Sequence, residues 1–123
     1  MNRPEQDLQK MVMQHLRQRG ARGLVFWHTP NGVRGNRRKD HVQGAIAKGM
    51  GARAGVSDLV LLHQGRFFAL ELKVPGRTPT EEQLKFLEEV NAAGGFGAWC
   101  QGLDRALGIL ESWGVLRGKA VAA

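Results

Sequence analysis

The stretch SDLVLLHQGRFFALELK, residues 57–73, contains two apolar runs that are joined by Gln64-Gly65. A two-residue turn of this kind between runs rich in Val, Leu and Phe predicts a β-hairpin, with strands at 58–63 and 66–74. Both runs are apolar on both faces, which is typical of strands that are covered on each side. Three charged residues interrupt them, namely Asp58, Glu71 and Lys73. A charge in a buried strand requires an ion partner, hydrogen bonds or a metal.

The turn also fixes which residues of the two strands lie opposite each other. Pairing that is continued outwards from Gln64-Gly65 brings Asp58 opposite Glu71. Opposed residues have Cβ atoms about 5 Å apart, and two carboxylates at that distance repel until one is driven neutral. A divalent cation removes this penalty, because Mg²⁺ binds one or two carboxylates, keeps several waters and accepts phosphate oxygens of a substrate.

Lys73 lies two residues after Glu71 and therefore on the same face of the strand. An ammonium group beside a metal can polarise the attacking water or stabilise the charge that develops on a phosphate. Two acids and a lysine around one metal are suited to the hydrolysis of a phosphodiester. The hairpin thus predicts a hydrolytic metal site.

The remaining pattern predicts helices around a small mixed sheet, which is an α/β sandwich. Pro4 and an apolar stripe through Leu8, Val12 and Leu16 favour a helix over 4–19. A capping box from Thr80 to Gln83 opens a helix that runs to about residue 93. The other expected elements are strands at 24–28 and 96–100 and helices at 40–49 and about 104–113. We expect the side chains of Leu84, Leu87 and Val90 to point inward, and Trp99 and Trp113 to lie in the core.

Glu5 precedes Leu8 and Val12 by three and seven residues, so the pattern places this carboxylate on the inward stripe of the first helix. An acid on the inward face of a helix suggests a functional reason. The alternative is the general preference of acids for the first turn of a helix.

Composition narrows the class of protein. The chain has 123 residues, which fits one domain. Its 18 Lys and Arg against 11 Asp and Glu favour a polyanionic partner, with nucleic acid the leading candidate. The single cysteine, Cys100, excludes an internal disulfide and a zinc site of paired cysteines. No apolar run is long enough for a membrane span, and the N-terminus lacks the apolar core of a signal peptide, so we expect a soluble intracellular protein.

Positive charge is concentrated between residues 29 and 55, where Asp40 is the only acid. Dense arginine beside glycines favours contacts to phosphates, although a solvated loop has the same composition. The six cations that we expect to bind DNA are Arg34, Arg37, Arg38, Lys39, Lys48 and Arg53.

Several segments resemble the VRR-NUC (virus-type replication-repair nuclease) family of the PD-(D/E)XK superfamily. They are GVSDLVLL, FFALELKVPGRTPTEEQLKFLEEVNAAGG, FWHTPNG at 26–32 and EQDLQ at 5–9. The resemblance covers residues 5 to 117 and implies a PD-(D/E)XK nuclease-like mixed sheet flanked by helices, with one domain over 1–117 and a tail over 118–123. Ser57 stands where the family usually has proline, so we expect altered strand entry but retained activity.

The resemblance implies a metal-dependent, structure-selective DNA endonuclease that acts on branched DNA, such as four-way (Holliday) junctions, as a homodimer in the cytoplasm of a bacterial or phage-infected cell. It implies that Asp58, Glu71 and the backbone carbonyl of Leu72 bind Mg²⁺ or Mn²⁺, and that Lys73 is the catalytic lysine. It also implies that Glu5 completes the site, directly or through water.

Gln83 lies where the family carries a glutamine after the ExK strand, which implies a catalytic role. Its part in the capping box with Thr80 explains it equally well. Three functional alternatives stay open at this point: a flap- or end-directed nuclease, an RNA nuclease, and a DNA-binding module that retains the fold without turnover.

Overall fold

The computed structural model describes residues 4–30 and 49–118. Its elements in chain order are α1 (Pro4–Arg19), β1 (Val25–His28), β2 (Leu59–His63), β3 (Arg66–Lys73), α2 (Glu81–Ala92), β4 (Phe96–Gln101) and α3 (Leu103–Ser112). The helices and strands expected from the sequence in these ranges are confirmed. The helix expected at 40–49 lies outside the described residues except for Gly49, which is helical.

The four strands form one mixed sheet in the order β1-β2-β3-β4. β1 and β2, and β2 and β3, are antiparallel, whereas β4 joins β3 in parallel after the α2 crossover. The β2–β3 turn has positive φ at both Gln64 (51°) and Gly65 (76°), as a tight two-residue hairpin requires. The register from His63↔Arg66 out to Leu59↔Leu70 is the one that the sequence predicts.

One face of the sheet packs against α1 and α3 and forms the main core. Alternate residues of β3, namely Phe68, Leu70 and Leu72, point to this face. They meet the buried stripes of the two helices, which consist of Leu8, Val12 and Leu16 on α1 and Ala106, Leu107 and Leu110 on α3. The apolar spacing along α1 therefore predicted its buried stripe correctly.

The opposite face carries α2. Ala69 is buried there beneath Leu87 and Val90. Gly97 permits this close approach, because a Cβ at that position would lie 2.9 Å from the Leu87 carbonyl oxygen. The packing fixes α2 over β3 and β4, so that Gln83 in its first turn lies beside the C-terminal end of β3.

The cover on the α2 face is incomplete, which corrects three expectations. Leu62 and Phe67 of the hairpin are 42% and 36% exposed, although we expected cover on both faces. Leu84 on α2 and Trp99 on β4 are also exposed, at 41% and 36%. The reason is that one 12-residue helix spans only part of the sheet. Trp113, by contrast, packs against Phe68 with ring centroids 5.2 Å apart.

In the ranges that the structure describes, no helix is both long and apolar enough to cross a membrane.

Candidate active site

Asp58 and Glu71 lie at the end of the hairpin that is opposite to its turn. The β2–β3 ladder ends at Leu59↔Leu70, and the next residues along the two strands are Asp58 and Glu71. The backbone carbonyl of Asp58 accepts a hydrogen bond of 2.8 Å from the N–H of Thr29, which anchors this point to the end of β1. Both acids are almost fully buried, at 5% and 2% exposure. The predicted opposition of the two acids is confirmed.

Side-chain to backbone hydrogen bonds hold the two carboxylates in place. The N–H of Asp58 donates to Glu71 Oε1 at 3.1 Å. The N–H of Leu72 donates to Asp58 Oδ2, also at 3.1 Å. Each strand thus supplies an N–H to the carboxylate of the other. A buried carboxylate needs such donors, and the exchange fixes both acids on the α2 side of the sheet.

Lys73 completes the cluster on β3. Its Nζ lies 3.1 Å from Glu71 Oε2, and its side chain is 18% exposed whereas that of Glu71 is 2% exposed. The ammonium group therefore lies at the boundary between the buried acids and solvent. Charge-assisted contacts of this length are among the stronger polar interactions.

Gln83 forms the capping box that its position suggested, and its side chain also connects α2 to the cluster. Its backbone N–H donates to Thr80 Oγ1 at 3.2 Å, and its Oε1 accepts from the N–H of Thr80 at 2.8 Å, which is a complete capping box. Its Nε2 is then free to donate to Glu71 Oε2 at 3.0 Å. The cap orients the amide, so the N-terminus of α2 positions a donor on Glu71.

The environment raises the pKa of Glu71 to about 7. Burial is the largest cause, because it penalises the charged form, and the neighbouring Asp58 carboxylate adds to it. The hydrogen bond and the charge of Lys73 oppose this rise. Near neutral pH the cluster is therefore poised between a protonated and an ionised Glu71, and a cation bound there would favour the ionised form.

Glu5 does not lie on the inward face, and this expectation was wrong. It is exposed in the first turn of α1, one turn before the first buried residue, Leu8. Within residues 4–30 and 49–118 it makes no hydrogen bond or ion pair. α1 also packs on the sheet face opposite to Asp58 and Glu71.

Arg53 is the one predicted DNA-binding residue that lies within the described ranges. Its guanidinium forms an ion pair with Glu89 and lies 5.1 Å from the centre of the Phe86 ring. Its charge is thus already paired on the surface of α2. The other five cations of that prediction, Arg34, Arg37, Arg38, Lys39 and Lys48, lie outside the described residues.

The donor set of the cluster suits a hard divalent cation. Two carboxylates and a nearby backbone carbonyl are oxygen ligands, which Mg²⁺ and Mn²⁺ prefer. No group of three or more His, Cys, Asp or Glu side chains within the described residues is arranged to hold a metal. Among these residues the candidate ligands are the two carboxylates of Asp58 and Glu71, and Mg²⁺ can bind one or two carboxylates and keep several waters.

Ser57 and Cys100 have structural explanations. The buried Ser57 hydroxyl donates to the carbonyl oxygen of Leu59 at 3.3 Å and so bridges the entry of β2. Burial raises the pKa of the Cys100 thiol to about 11, with the charge of Arg105 opposing the rise. A thiol of such high pKa is a poor nucleophile at neutral pH.

Two residues near the cluster were not anticipated, and both lie on β4. Trp99 pairs with Glu71 and Gln101 pairs with Lys73 in the parallel register. Alternation along FGAWCQ indicates that these two residues share a face. The sequence does not show which face this is. The parallel register of β3 and β4 shows that it is the face that carries the carboxylates.

Comparison with solved structures gives the class of fold. The chain is similar to a protein described as a VRR_NUC domain protein, with a TM-score of 0.74 and 20% sequence identity over 92% of this chain and 89% of that chain. The chain therefore has the VRR-NUC fold, as the sequence resemblance implied. No protein-family profile and no curated protein matches it.

Proposed function

We propose that this protein is a metal-dependent endonuclease that hydrolyses phosphodiester bonds in DNA. The observation that carries the proposal is the cluster of Asp58, Glu71 and Lys73, in which two buried carboxylates and one half-buried ammonium meet at the edge of a VRR-NUC fold. Structural ion pairs also bury acids, but they seldom place two carboxylates side by side with a single cation, because the arrangement destabilises the fold.

Asp58, Glu71 and the Leu72 carbonyl would hold Mg²⁺ or Mn²⁺, which would supply a Lewis acid for the phosphate and a water of lowered pKa. Lys73 borders solvent and lies against Glu71. Its ammonium group can therefore orient the attacking water and stabilise negative charge that develops on the phosphate oxygens. Gln83 donates to one oxygen of Glu71 and the Asp58 N–H donates to the other, so hydrogen bonds from the protein orient this carboxylate.

Glu5 has a more distant part in this proposal. Because it is exposed at the start of α1, it would act through a water and not as a direct ligand. Glu5→Gln is accordingly expected to reduce cleavage less than Asp58→Asn does. An equal loss in the two variants would assign Glu5 to the metal itself.

DNA is the substrate that the charge favours. The net charge is +7, and phosphate contacts would come from Arg34, Arg37, Arg38, Lys39 and Lys48, whereas Arg53 is already paired with Glu89. Binding that rests on such contacts releases counterions and weakens as salt rises.

Branched DNA and a homodimer form the finer part of the proposal, and they follow from the family resemblance. Resolution of a four-way junction requires a cut in each of two strands that are related by two-fold symmetry. A homodimer has the same symmetry and could place one active site at each cut. An apolar row that crosses β1, β2 and β3 supports self-association, since Val25, Leu62 and Phe67 pair across the sheet and all remain exposed. Light scattering on the purified protein tests this part, and a strict monomer would contradict it.

The test of the activity is cleavage of an end-labelled four-way junction, beside a flap, a linear duplex and a matched RNA, in Mg²⁺, Mn²⁺ and EDTA. We expect metal-dependent cuts that favour the junction. Preferred cutting of the flap or the RNA would change the proposed substrate but would still support phosphodiester hydrolysis. Binding without any cut would assign the chain to the class of DNA-binding modules.

A further inference from the structure

Trp99 occupies an unusual position for a large aromatic residue. It lies on β4, the edge strand of the sheet, where it pairs with Glu71 on the face that carries the carboxylates. Trp99 is 36% exposed, and no ring contact involves it among the described residues. An aromatic surface is thus open to solvent on the strand next to the proposed metal ligand.

A groove of about 590 Å³ begins at this residue. It follows the outer edge of β4 and the start of α3, and it is lined by Trp99, Cys100, Gln101, Arg105 and Ile109. Gln101 pairs with Lys73 in the sheet register and donates from Nε2 to the carbonyl oxygen of Arg77 at 2.7 Å. The lining therefore includes the two β4 residues that pair with Glu71 and Lys73 of the candidate active site.

Arg105 supplies a charge that the fold does not use. It is exposed and makes no hydrogen bond or ion pair with any other residue in 4–30 or 49–118. Two arginines elsewhere in these ranges are paired, Arg19 with Glu111 and Arg53 with Glu89. An unpaired guanidinium and an open indole in one groove match the two parts of a nucleotide, since bases stack on aromatic rings and arginine binds phosphate.

The distance from the carboxylates suits a neighbouring nucleotide of one strand. Paired strands lie about 4.8 Å apart, and successive phosphates rise about 3.4 Å in a B-form strand. A strand with one phosphate at Glu71 that crosses β4 therefore reaches Trp99 within one or two nucleotides. A base inside a duplex is already stacked on both sides, so only an unpaired base can offer its face to the indole.

We propose that the groove lined by Trp99 and Arg105 binds an unpaired nucleotide beside the phosphate to be cut. Trp99 stacks on the base and Arg105 contacts the following phosphate. This inference rests on the proposed function and specifies its substrate class: strands with at least one unpaired nucleotide at the point of cleavage, as in a flap, a gap or an opened junction, in preference to fully paired duplex.

Equilibrium binding without turnover tests the site. Fluorescently labelled oligo(dT) in EDTA is titrated with wild type, Trp99→Leu, Trp99→Phe and Arg105→Gln, with fluorescence anisotropy as the signal. Trp27→Leu is the matched control, because Trp27 is an exposed tryptophan on the opposite edge strand. Trp99→Leu is expected to weaken binding about tenfold. Trp99→Phe should retain most of the affinity. Arg105→Gln should make the affinity less dependent on salt concentration, by the amount expected for the loss of about one phosphate contact.

Cleavage in Mn²⁺ of a flap and of its fully paired duplex separates this inference from the proposed function. Trp99→Leu is expected to lose cutting of the flap selectively. If wild type cuts nothing while oligo(dT) binding still depends on Trp99, the nuclease proposal fails and the nucleotide site stands. If wild type cuts DNA while a folded Trp99→Leu binds and cuts like wild type, the site is refuted alone. A change in oligomeric state of Trp99→Leu with unchanged binding would refute it as well, because the groove would then hold a second copy of the chain.

Discussion

The backbone N–H of Asp58 donates to the carboxylate of Glu71, and the Asp58 carboxylate in turn accepts the N–H of the residue after Glu71. Hydrogen bonds of the hairpin itself therefore hold the two acids in position. Such preorganisation is what a metal site needs if it is to bind without rearrangement. It also means that the metal-free protein contains two close, buried carboxylates whose repulsion opposes folding.

Replacement of Asp58 by Asn should separate stability from activity. The amide oxygen can still accept the Leu72 N–H, while the charge that raises the pKa of Glu71 is removed. We expect Asp58→Asn to stabilise the metal-free protein at pH 8 by on the order of 1 kcal/mol and to abolish metal-dependent cleavage. Urea unfolding and a cleavage assay on the same preparation check both. A clearly destabilised variant would show that the carboxylate charge supports the fold.

The stability of the metal-free protein should fall between about pH 4.5 and pH 7. Glu71 has a folded-state pKa of about 7 against a reference value of 4.5. Protonated Glu71 therefore favours the folded state, and this contribution is fully present below 4.5 and is lost as the pH rises through 7. The shift corresponds to on the order of 3 kcal/mol. Urea unfolding at a series of pH values measures it, with Glu71→Gln as the variant that lacks this titration. If the free energy of unfolding changed equally with pH in wild type and in Glu71→Gln, the raised pKa of Glu71 would be contradicted.

The same titration predicts how the cation acts. A divalent ion that binds ionised Glu71 should release a proton near neutral pH and stabilise the protein more at pH 8 than at pH 5.5. Thermal unfolding with and without Mn²⁺ at the two pH values checks this, with Asp58→Asn as the control that should respond weakly. An equal Mn²⁺ effect at both pH values would place the ion elsewhere.

Gln83 should affect both helix stability and catalysis, and these can be measured apart. Thr80→Ala removes the cap hydroxyl but leaves the Gln83 amide, so it should cost about 1 kcal/mol of stability with little loss of activity. Gln83→Glu can retain the capping box but replaces the donor for Glu71 with a carboxylate, so we expect it to lose activity and, through repulsion of Glu71, some stability at pH 8. Thermal unfolding measures the contribution of the cap, and kcat as a function of pH measures the contribution of the hydrogen bond to Glu71. If Thr80→Ala and Gln83→Glu lost activity equally, Gln83 would act only through the cap.

The cations before residue 49 should differ from Arg53 in DNA binding. Arg37→Gln and Arg38→Gln are each expected to reduce the salt dependence of binding by about one contact, because each would remove one phosphate partner. Arg53→Gln should change it less, since Arg53 is paired with Glu89 and lies over Phe86. Binding isotherms at several salt concentrations check this. An Arg53 effect as large as that of Arg37 would mean that DNA displaces Glu89.

The hairpin was the part of the fold that the sequence predicted best. A two-residue turn allows one register, and that register brings Asp58 to Glu71 without any knowledge of the rest of the sheet. Lys73 follows from alternation alone. The sequence also predicted Gln83 as part of a capping box. The structure adds a hydrogen bond to Glu71, which is possible because the amide accepts from Thr80 with its oxygen and donates to Glu71 with its nitrogen.

The errors arise where a residue's surroundings come from distant parts of the chain. Glu5 has the spacing of the apolar stripe of α1. The spacing alone does not show how far the helix extends beyond the sheet, and the first buried residue of α1 is Leu8. Trp99 looked like a core residue because it is large and lies in an apolar strand. Its exposure depends on β4 being the sheet edge and on how far α2 reaches, and neither is encoded in local periodicity.

The most direct test of the proposed hydrolytic centre is single-turnover cleavage of DNA by Lys73→Gln in Mn²⁺, with Lys85→Gln as a control. Both variants remove one lysine charge, but Lys85 is exposed on α2 and Lys73 lies against Glu71. We expect Lys73→Gln to lose at least about 10²-fold in rate, with DNA affinity and folding retained, and Lys85→Gln to cut like wild type. Equal rates for wild type and a folded Lys73→Gln would contradict the assignment of the Asp58–Glu71–Lys73 cluster as the centre of hydrolysis.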